Sequence, residues 1–195
     1  MSDEDVKKHI TSSDDWSASM FIMSTLSAIV KQFHFIAHEN FSNKGDEVDG
    51  KQLAPTNHWS LFLTLNTSKI SSVRVEVIPN EPGEPGTVIV ESKGYAFTNN
   101  HTKTVSIGAP EGITVADVFN LIIEEKRDHY IFAPVGEGCR FWLYTIACDF
   151  AGANFISSAN ALEVQSALVV YWPSPKGTAG IARPMAEGQF PKSGD

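Results

Sequence analysis

Hydrophobic and polar residues alternate through much of the first half of the chain, which is the pattern of β-strands with one buried face. The alternation is clearest where Val73, Val75 and Val77 are separated by Arg74 and Glu76, so the three valines share the face expected toward the core. Clusters of proline, glycine and asparagine separate the strand-like segments. The predicted strands, which we expect to form an antiparallel meander, are His58–Leu65, Ser72–Ile78, Thr87–Ser92 and Lys103–Ile107.

The second half of the chain changes to helical spacing. From Thr114 to Arg127, apolar residues recur three and four positions apart, with Thr114 as the N-cap and Asp117 three residues on. The other predicted elements are a short strand at Tyr130–Phe132 and helices at Cys139–Phe150 and Asn160–Tyr171. The predicted fold class is therefore α+β, a small antiparallel sheet packed against helices.

The first 40 residues are predicted to form an N-terminal extension, and residues 41–195 a single α+β domain of catalytic type. In the extension we expect a mobile segment at 1–15, a helix within 17–30 and a possible first strand at 29–38. The polar stretch 40–57 is predicted to be a surface loop. A length of 195 residues with 42% hydrophobic content suits one well-buried domain.

Composition narrows the classes of function. A net charge of −8 argues against a broad basic surface for nucleic acid. Cys139 and Cys148 are expected on opposite faces of one helix, so they do not suit a disulfide, and the polar N-terminus lacks a basic signal region. These features predict a cytoplasmic protein, and the apolar run near residues 19–30 is too short to span a membrane. Phosphate-loop, dinucleotide and zinc-site spacings are absent from the sequence, so we predict no cofactor and no metal.

The segment Gly136-Glu-Gly-Cys-Arg-Phe-Trp142 carries the most specific chemistry. Cys139 directly follows a Gly-x-Gly turn and begins an apolar helix, where unpaired backbone N–H groups lower the pKa of a thiol. The same groups, around Gly138 and Arg140, can hold an oxyanion. The alternative is that Cys139 is a small buried hydrophobic residue without reactivity.

A cysteine nucleophile needs a base, and His58 is the best placed of six histidines because it opens the best predicted strand of the chain, His58–Leu65. Its alternative role is a polar strand-start residue bonded to a loop carbonyl. Of the other five, His9, His101 and His129 are interpreted as solvated surface residues. His34 and His38 belong to the strand expected at 29–38.

The order of these motifs resembles the circularly permuted papain-like fold, which includes relatives of lecithin:retinol acyltransferase. His58-Trp59 opens an early strand, and Gly138-Cys139-Arg140-Phe141 begins a later helix, so the resemblance covers about residues 57–146. It implies that the histidine and the cysteine meet where the sheet joins the helix. It also implies a third catalytic residue on the strand after the histidine, which leaves Arg74 or Glu76. We choose Glu76, because a carboxylate can orient an imidazole and a guanidinium cannot.

Over the whole domain the chain resembles a fungal family of unknown function, of which some members resemble arginine-containing cyclodipeptide synthases. The matching segments are 57–59, 113–122, 136–142 and 183–190. The resemblance implies aminoacyl-tRNA substrates and diketopiperazine products of secondary metabolism.

An arginyl substrate would need a carboxylate partner, for which Glu137 and Glu76 are candidates. We assign Glu137, Trp59, Trp142 and Arg183 to substrate binding. The residues that could contact a tRNA phosphate are Arg140, Arg183, Lys176 and Lys192.

Three functions remain open from the sequence. In the first, His58 deprotonates Cys139, a thioester forms, and the acyl group passes to an amine. The second ends the same chemistry with water, as in a peptidase or amidase. In the third, the protein binds a partner without catalysis and the cysteine is inert. The segment 183–190 is expected either to return to the sheet or to cover the cleft.

Overall fold

The computed structural model describes residues 1–39, 47–48, 50–52, 55–67, 69–81 and 84–191. The helices are α1 (Asp3–Ser12), α2 (Val115–Glu124), α3 (Cys139–Gly152) and α4 (Ser158–Leu168), with one 3-10 turn at Met23–Thr25. The strands are β1 (Trp16–Met20), β2 (Val30–His38), β3 (Glu47–Val48), β4 (Lys51–Gln52), β5 (Trp59–Leu65), β6 (Ser72–Ile78), β7 (Thr87–Lys93), β8 (His101–Gly108), β9 (Val170–Tyr171) and β10 (Ile181–Ala182). The α+β class predicted from the sequence is confirmed.

Six strands form one sheet in the order β1-β7-β6-β5-β2-β8. The predicted meander is present as β5-β6-β7, whose neighbouring strands are antiparallel. The prediction of a purely antiparallel sheet is wrong, because β1 runs parallel to β7. β8 pairs with β2 rather than continuing the meander from β7, so it lies at the opposite edge. The sheet is therefore mixed.

The core lies between one face of this sheet and the helices. Val73, Val75 and Val77 are buried on that face, as their alternation predicted. α3 packs across β5 and β6, and α4 packs beside α3. α2 begins with the predicted capping box between Thr114 and Asp117. α4 ends at Leu168, earlier than predicted, because the chain turns into β9 and pairs with β10.

The predicted N-terminal extension contributes two strands, β1 and β2, to the six-stranded sheet. β2 lies between β5 and β8, so the predicted boundary at residues 40/41 separates no independent unit. The predicted helix within 17–30 is wrong, because residues 16–20 pair with β7 as β1. Residues 1–15 are not simply a mobile segment, since a capping box between Ser2 and Asp5 begins α1. The predicted loop at 40–57 lies mostly outside the described residues.

The predicted strand at Tyr130–Phe132 is reduced to two isolated bridges. Ile131 pairs on one side with Pro85 and on the other with Gln189. Segment 183–190 therefore lies beside the chain that leads into residues 136–138, the cysteine turn, and it does not return to the six-stranded sheet.

Candidate functional site

Cys139 is the first residue of α3, where that helix packs over the start of β5. The preceding turn needs its two glycines. Gly136 has a φ of +76°, a conformation that favours glycine, and a side chain at Gly138 would meet the Tyr130 hydroxyl at 2.7 Å. Cys139 is half-buried and forms no disulfide. The turn thus presents a thiol at the N-terminus of a helix.

His58 lies directly before β5 and contacts both Cys139 and Glu76. Its Nε2 is 2.5 Å from Oε2 of Glu76, which lies on the neighbouring strand β6. His58 and Cys139 border the same cleft, and each shifts the pKa of the other in the direction expected of neighbouring opposite charges. Because Nε2 faces the carboxylate, Nδ1 is the ring nitrogen left for the sulfur. The structure therefore brings together the three residues predicted to carry catalysis.

The pKa values of His58 and Cys139 move in opposite directions. Burial lowers the pKa of His58, but its hydrogen bonds to Cys139 and Glu76 outweigh burial and raise the pKa to about 10. Burial raises the pKa of the Cys139 thiol, but the hydrogen bond and charge of His58 and the backbone N–H of Trp59 outweigh it, so the pKa is lowered. At neutral pH this favours a thiolate beside an imidazolium.

Glu76 is a buried carboxylate with two cationic neighbours. Burial raises its pKa, but the hydrogen bond to His58 and the charges of His58 and Arg74 prevail, so the pKa is lowered. Arg74 donates from Nη2 to Oε2 of Glu76 at 2.5 Å and reaches Glu91 at 3.4 Å. Arg74 thus helps to keep Glu76 ionised, while Glu76 faces the imidazole.

His38 is a functional candidate that sequence reasoning missed. Its ring stacks on that of His58, with centroids 5.6 Å apart and planes at 25°. Ser60 holds the ring through a 2.6 Å contact to Nε2. Burial, followed by the positive charges of His58 and Arg74, lowers the pKa of His38 to about 4. A neutral His38 thus fixes one face of the His58 ring. The place of His38 beside His58 depends on the pairing of β2 with β5, which the alternation within a single strand does not show.

The predicted oxyanion donors are placed at the helix start. Gly138 is the N-cap, and Arg140 is the second helical residue, so its N–H has no partner within the helix. The guanidinium of Arg140 points elsewhere: it donates to the carbonyls of Leu168, Arg183 and Pro184. Only the backbone of Arg140 is therefore available to an oxyanion.

Glu137 and Arg183, predicted to bind substrate, bind each other. Glu137 accepts from Arg140 through Oε2 and from Arg183 through Oε1. Glu137 borders the cleft, but both carboxylate oxygens are occupied by guanidinium groups. We correct their role accordingly: they hold segment 183–190 against the cysteine turn.

Trp59 and Trp142, also predicted to bind substrate, are completely buried. Trp59 alternates with His58 and so points into the core, while the Trp142 indole donates to the carbonyl of Arg127 at 2.7 Å. Neither indole has surface to offer a substrate, so this assignment is corrected to a role in packing.

The cleft over Cys139 has a volume of about 140 Å³. Its walls include Thr56, His58, Val77, Phe132 and Gly138. A wider cavity of about 580 Å³ shares Pro79, Phe132 and Gly136 with it and continues along Ile131 and Gly188. The narrow cleft suits the reacting carbonyl, and the wider cavity leaves room for the rest of a substrate.

A family model for a domain of unknown function, DUF7770, matches residues 33–191. The chain belongs to this family. The match covers His58, Glu76 and Cys139 and excludes α1 and β1. The search of curated proteins and the search of solved structures each gave no match. Membership of DUF7770 therefore identifies a shared domain, and its chemistry has to be argued from the site.

Among the described residues, the other predicted features of this DUF7770 domain lie outside the cleft. Cys148 is exposed, and Lys176 borders a different cavity. Lys192 lies outside the described residues. Within the described ranges no cluster of three or more potential metal ligands is found. No described helix is long and apolar enough to cross a membrane.

Proposed function

We propose that this protein is a cysteine-dependent acyltransferase with a permuted papain-like arrangement. The observation that carries the proposal is the continuous contact from Cys139 to His58 to Glu76, on a helix start and two neighbouring strands. The chain order, with the histidine before the cysteine, agrees with that arrangement. We place its activity in the cytoplasm, where a free thiol stays reduced.

The reaction begins with the Cys139 thiolate and the His58 imidazolium. The sulfur attacks an activated carbonyl, a C–S bond forms, and the carbonyl oxygen gains the negative charge. Backbone N–H groups at the start of α3 stabilise that charge. The intermediate collapses to a thioester while the leaving group departs with the proton from His58. Glu76 stabilises the imidazolium before this transfer.

The second half-reaction transfers the acyl group to an amine. The neutral imidazole left by the first step takes a proton from the attacking amine, an amide bond forms, and the Cys139 thiolate leaves. As the specific substrates we propose aminoacyl-tRNA, with arginine-containing cyclic dipeptides as products. Since the side chains of Arg140 and Arg183 are committed to carbonyls and to Glu137, tRNA phosphates must be bound by other residues.

Expression in a bacterial host, followed by mass spectrometry of metabolites, tests the proposal. We expect new arginine-containing cyclic dipeptides from the wild type and from Cys148→Ala, which removes the exposed cysteine of the same helix. Cys139→Ala should make none. Both variants remove one thiol from α3, so their comparison separates loss of the nucleophile from loss of a cysteine.

Other results of this experiment have definite meanings. Hydrolysis of acyl substrates that depends on Cys139, without a new amide, would replace the transferase by a hydrolase. New products from Cys139→Ala would reject Cys139 as the nucleophile. No chemistry with any substrate, together with slow alkylation of Cys139, would favour a non-catalytic binding protein.

A further inference from the structure

A separate cavity of about 440 Å³ lies along β8, the edge strand farthest from β1. One wall is formed by Thr102, Lys103 and Thr104 of β8. The other wall comes from the segment after β9 and includes Trp172, Lys176 and Thr178. Two lysines therefore face one cavity in a protein whose net charge is −8.

Lys176 is held in place by a buried histidine. Its Nζ lies 2.7 Å from Nε2 of His101, and Nδ1 of His101 lies 2.8 Å from the carbonyl of Thr98. Because Nδ1 must donate to that carbonyl, Nε2 is the acceptor for the ammonium. One Lys176 proton is used in this way, and the other two remain available to the cavity.

Lys103 is fixed by a different contact. Its Nζ lies 4.6 Å from the centroid of the Trp172 ring, a distance typical of a cation–π contact. Among the described residues, neither Lys103 nor Lys176 forms a salt bridge with a carboxylate. Two acidic residues of this region do not line the cavity: Glu39 accepts from Ser174, and Glu163 borders a neighbouring pocket that Lys103 and Trp172 also line.

Further donors come from β8. The Thr102 hydroxyl accepts from Asn57 Nδ2 at 3.3 Å, which leaves its own proton to donate. The backbone N–H of Thr104 also points away from the sheet. In β2 the N–H of His38 bonds on the β5 side, and the N–H of Ile36, two residues earlier, points the same way. Thr104 of β8 lies opposite Ile36, so its own N–H points away from β2.

We propose that this cavity binds the phosphate group of a phosphate ester. Two ammonium groups, the Thr102 hydroxyl and an outward backbone N–H are donors, and no carboxylate among the described residues lines the cavity to accept from them. A phosphate supplies several acceptor oxygens and a charge of nearly −2, which matches this set. A volume of about 440 Å³ exceeds a bare phosphate and leaves room for the esterified group.

The cavity is structurally linked to the cleft over Cys139. Asn57 borders that cleft, while its side chain bonds to Thr102 and to the backbone of Trp172, both of which line the phosphate cavity. One buried side chain thus lies between the two sites. The phosphate proposal does not rest on cysteine chemistry, because its evidence consists only of groups around β8.

Calorimetric titration at constant ionic strength tests the proposal with three probes: inorganic phosphate, adenosine 5′-monophosphate and uncharged adenosine. We expect saturable binding of the two phosphates and none of adenosine. Lys103→Gln and Lys176→Gln should each weaken binding about tenfold. Lys8→Gln, which removes the same charge from α1, should bind as the wild type does. In a parallel NMR titration, the indole N–H resonance of Trp172 should shift, which would locate the ligand beside this ring.

Each outcome is decisive. Tighter binding of the nucleotide supports a phosphate ester and identifies a nucleotide or nucleic-acid end as its source, whereas equal binding would show a site for free phosphate and reject the ester. Equal weakening by Lys8→Gln would show that net charge alone is responsible and would reject the site. Lack of saturation, or binding that leaves the Trp172 resonance unchanged, would also reject it. Loss of activity in Cys139→Ala has no bearing on these results.

Discussion

The two cysteines of α3 lie in very different surroundings. Cys139 is half-buried beside His58, while Cys148 is exposed on the same helix. A thiolate forms where a positive charge lies within hydrogen-bond reach and outweighs the cost of burial. The chemical difference between the cysteines therefore comes from their neighbours.

Alkylation by iodoacetamide measures this difference. Near neutral pH, Cys139 should react about tenfold faster than Cys148, because its pKa is lowered and the thiolate is the reacting species. As pH falls through that lowered pKa, the rate should decrease. In His58→Ala, the two largest contributions that lower the thiol pKa are lost, so the inflection should move to higher pH. Equal rates for the two cysteines would contradict the assignment.

A second test concerns the charge on His58. Glu76→Gln removes the carboxylate that helps to raise the His58 pKa to about 10, so the pKa should fall. NMR titration of the His58 ring measures it directly. Glu91→Gln is the matched control, since Glu91 also contacts Arg74 but not His58. An unchanged His58 pKa in Glu76→Gln would show that Cys139 alone stabilises the imidazolium.

The same shift has a consequence for stability. Since the folded pKa of His58 lies above the ordinary value of 6.5, protonated His58 stabilises the fold fully below pH 6.5. This contribution is lost as pH rises through about 10. Glu76 has the opposite sign, because its pKa is lowered from 4.5 and its contribution is lost at more acidic pH.

At the level of elements, the cysteine turn depends on a segment more than 40 residues later. Tyr130 donates to the carbonyl of Gly138 at 3.1 Å and accepts from the N–H of Gly188 at 3.0 Å. Arg140 and Glu137 bind the same segment near Arg183. The start of α3 is therefore fixed on two sides by segment 183–190.

Gly188→Ala tests this attachment. An alanine methyl would collide with the Tyr130 hydroxyl and the Ile131 carbonyl, so the segment must move. We expect a loss of about 1–3 kcal/mol of unfolding free energy and slower alkylation of Cys139 at neutral pH. Denaturant unfolding and the alkylation assay measure the two effects.

Gly152→Ala is the control, since it lies in α3 and its added methyl meets open space. It should be neutral or stabilising, because alanine favours a helix over glycine. Retention of full stability and reactivity in Gly188→Ala would show that the segment does not fix the turn.

The sequence was sufficient for elements whose own pattern is strong. β5 to β7 follow a strict alternation or an apolar run between turns, so their ends were predicted within one residue; α2 starts where its capping box predicted but ends three residues before Arg127. β1 was missed because Ser17, Ala18 and Ser19 have no strand pattern of their own. Its strand state comes from pairing with β7, which lies some 70 residues away along the chain.

The site was predictable to a similar extent. The glycine turn and the strand-start histidine identified Cys139 and His58, and Glu76 was chosen over Arg74 because a carboxylate can orient an imidazole. His38 was missed because its place beside His58 depends on strand pairing. Arg183 was assigned to substrate because sequence cannot show that Glu137 neutralises it internally.

At the level of the whole molecule, α1 and β1 complete the sheet outside the region that defines the family. Trp16 is buried against Phe119, and its indole donates to Asp128 at 2.8 Å. His9 of α1 contacts the same carboxylate at 2.9 Å. The N-terminal elements thus cover the edge of β7 and share one buried acidic residue with the rest of the domain.

Trp16→Ala should therefore destabilise the entire fold. It removes a buried indole and leaves Asp128 with one donor fewer, so we expect a loss of about 3–5 kcal/mol. Chemical denaturation measures the change. Ile22→Ala, at a nearby residue that is 48% exposed, should cost less than about 1 kcal/mol. Equal effects of the two substitutions would show that α1 and β1 are only loosely attached.

The attachment of segment 183–190 also sets an order of events during synthesis. The ribosome makes Cys139 before Gly188, and at about 5–20 residues per second the intervening 49 residues (188 − 139) take about 2–10 seconds. During that interval the carbonyl groups that bind Arg140 and the N–H that binds Tyr130 do not yet exist. The growing chain therefore carries its cysteine without the finished turn, and full reactivity of the thiol arises only after translation has passed this segment.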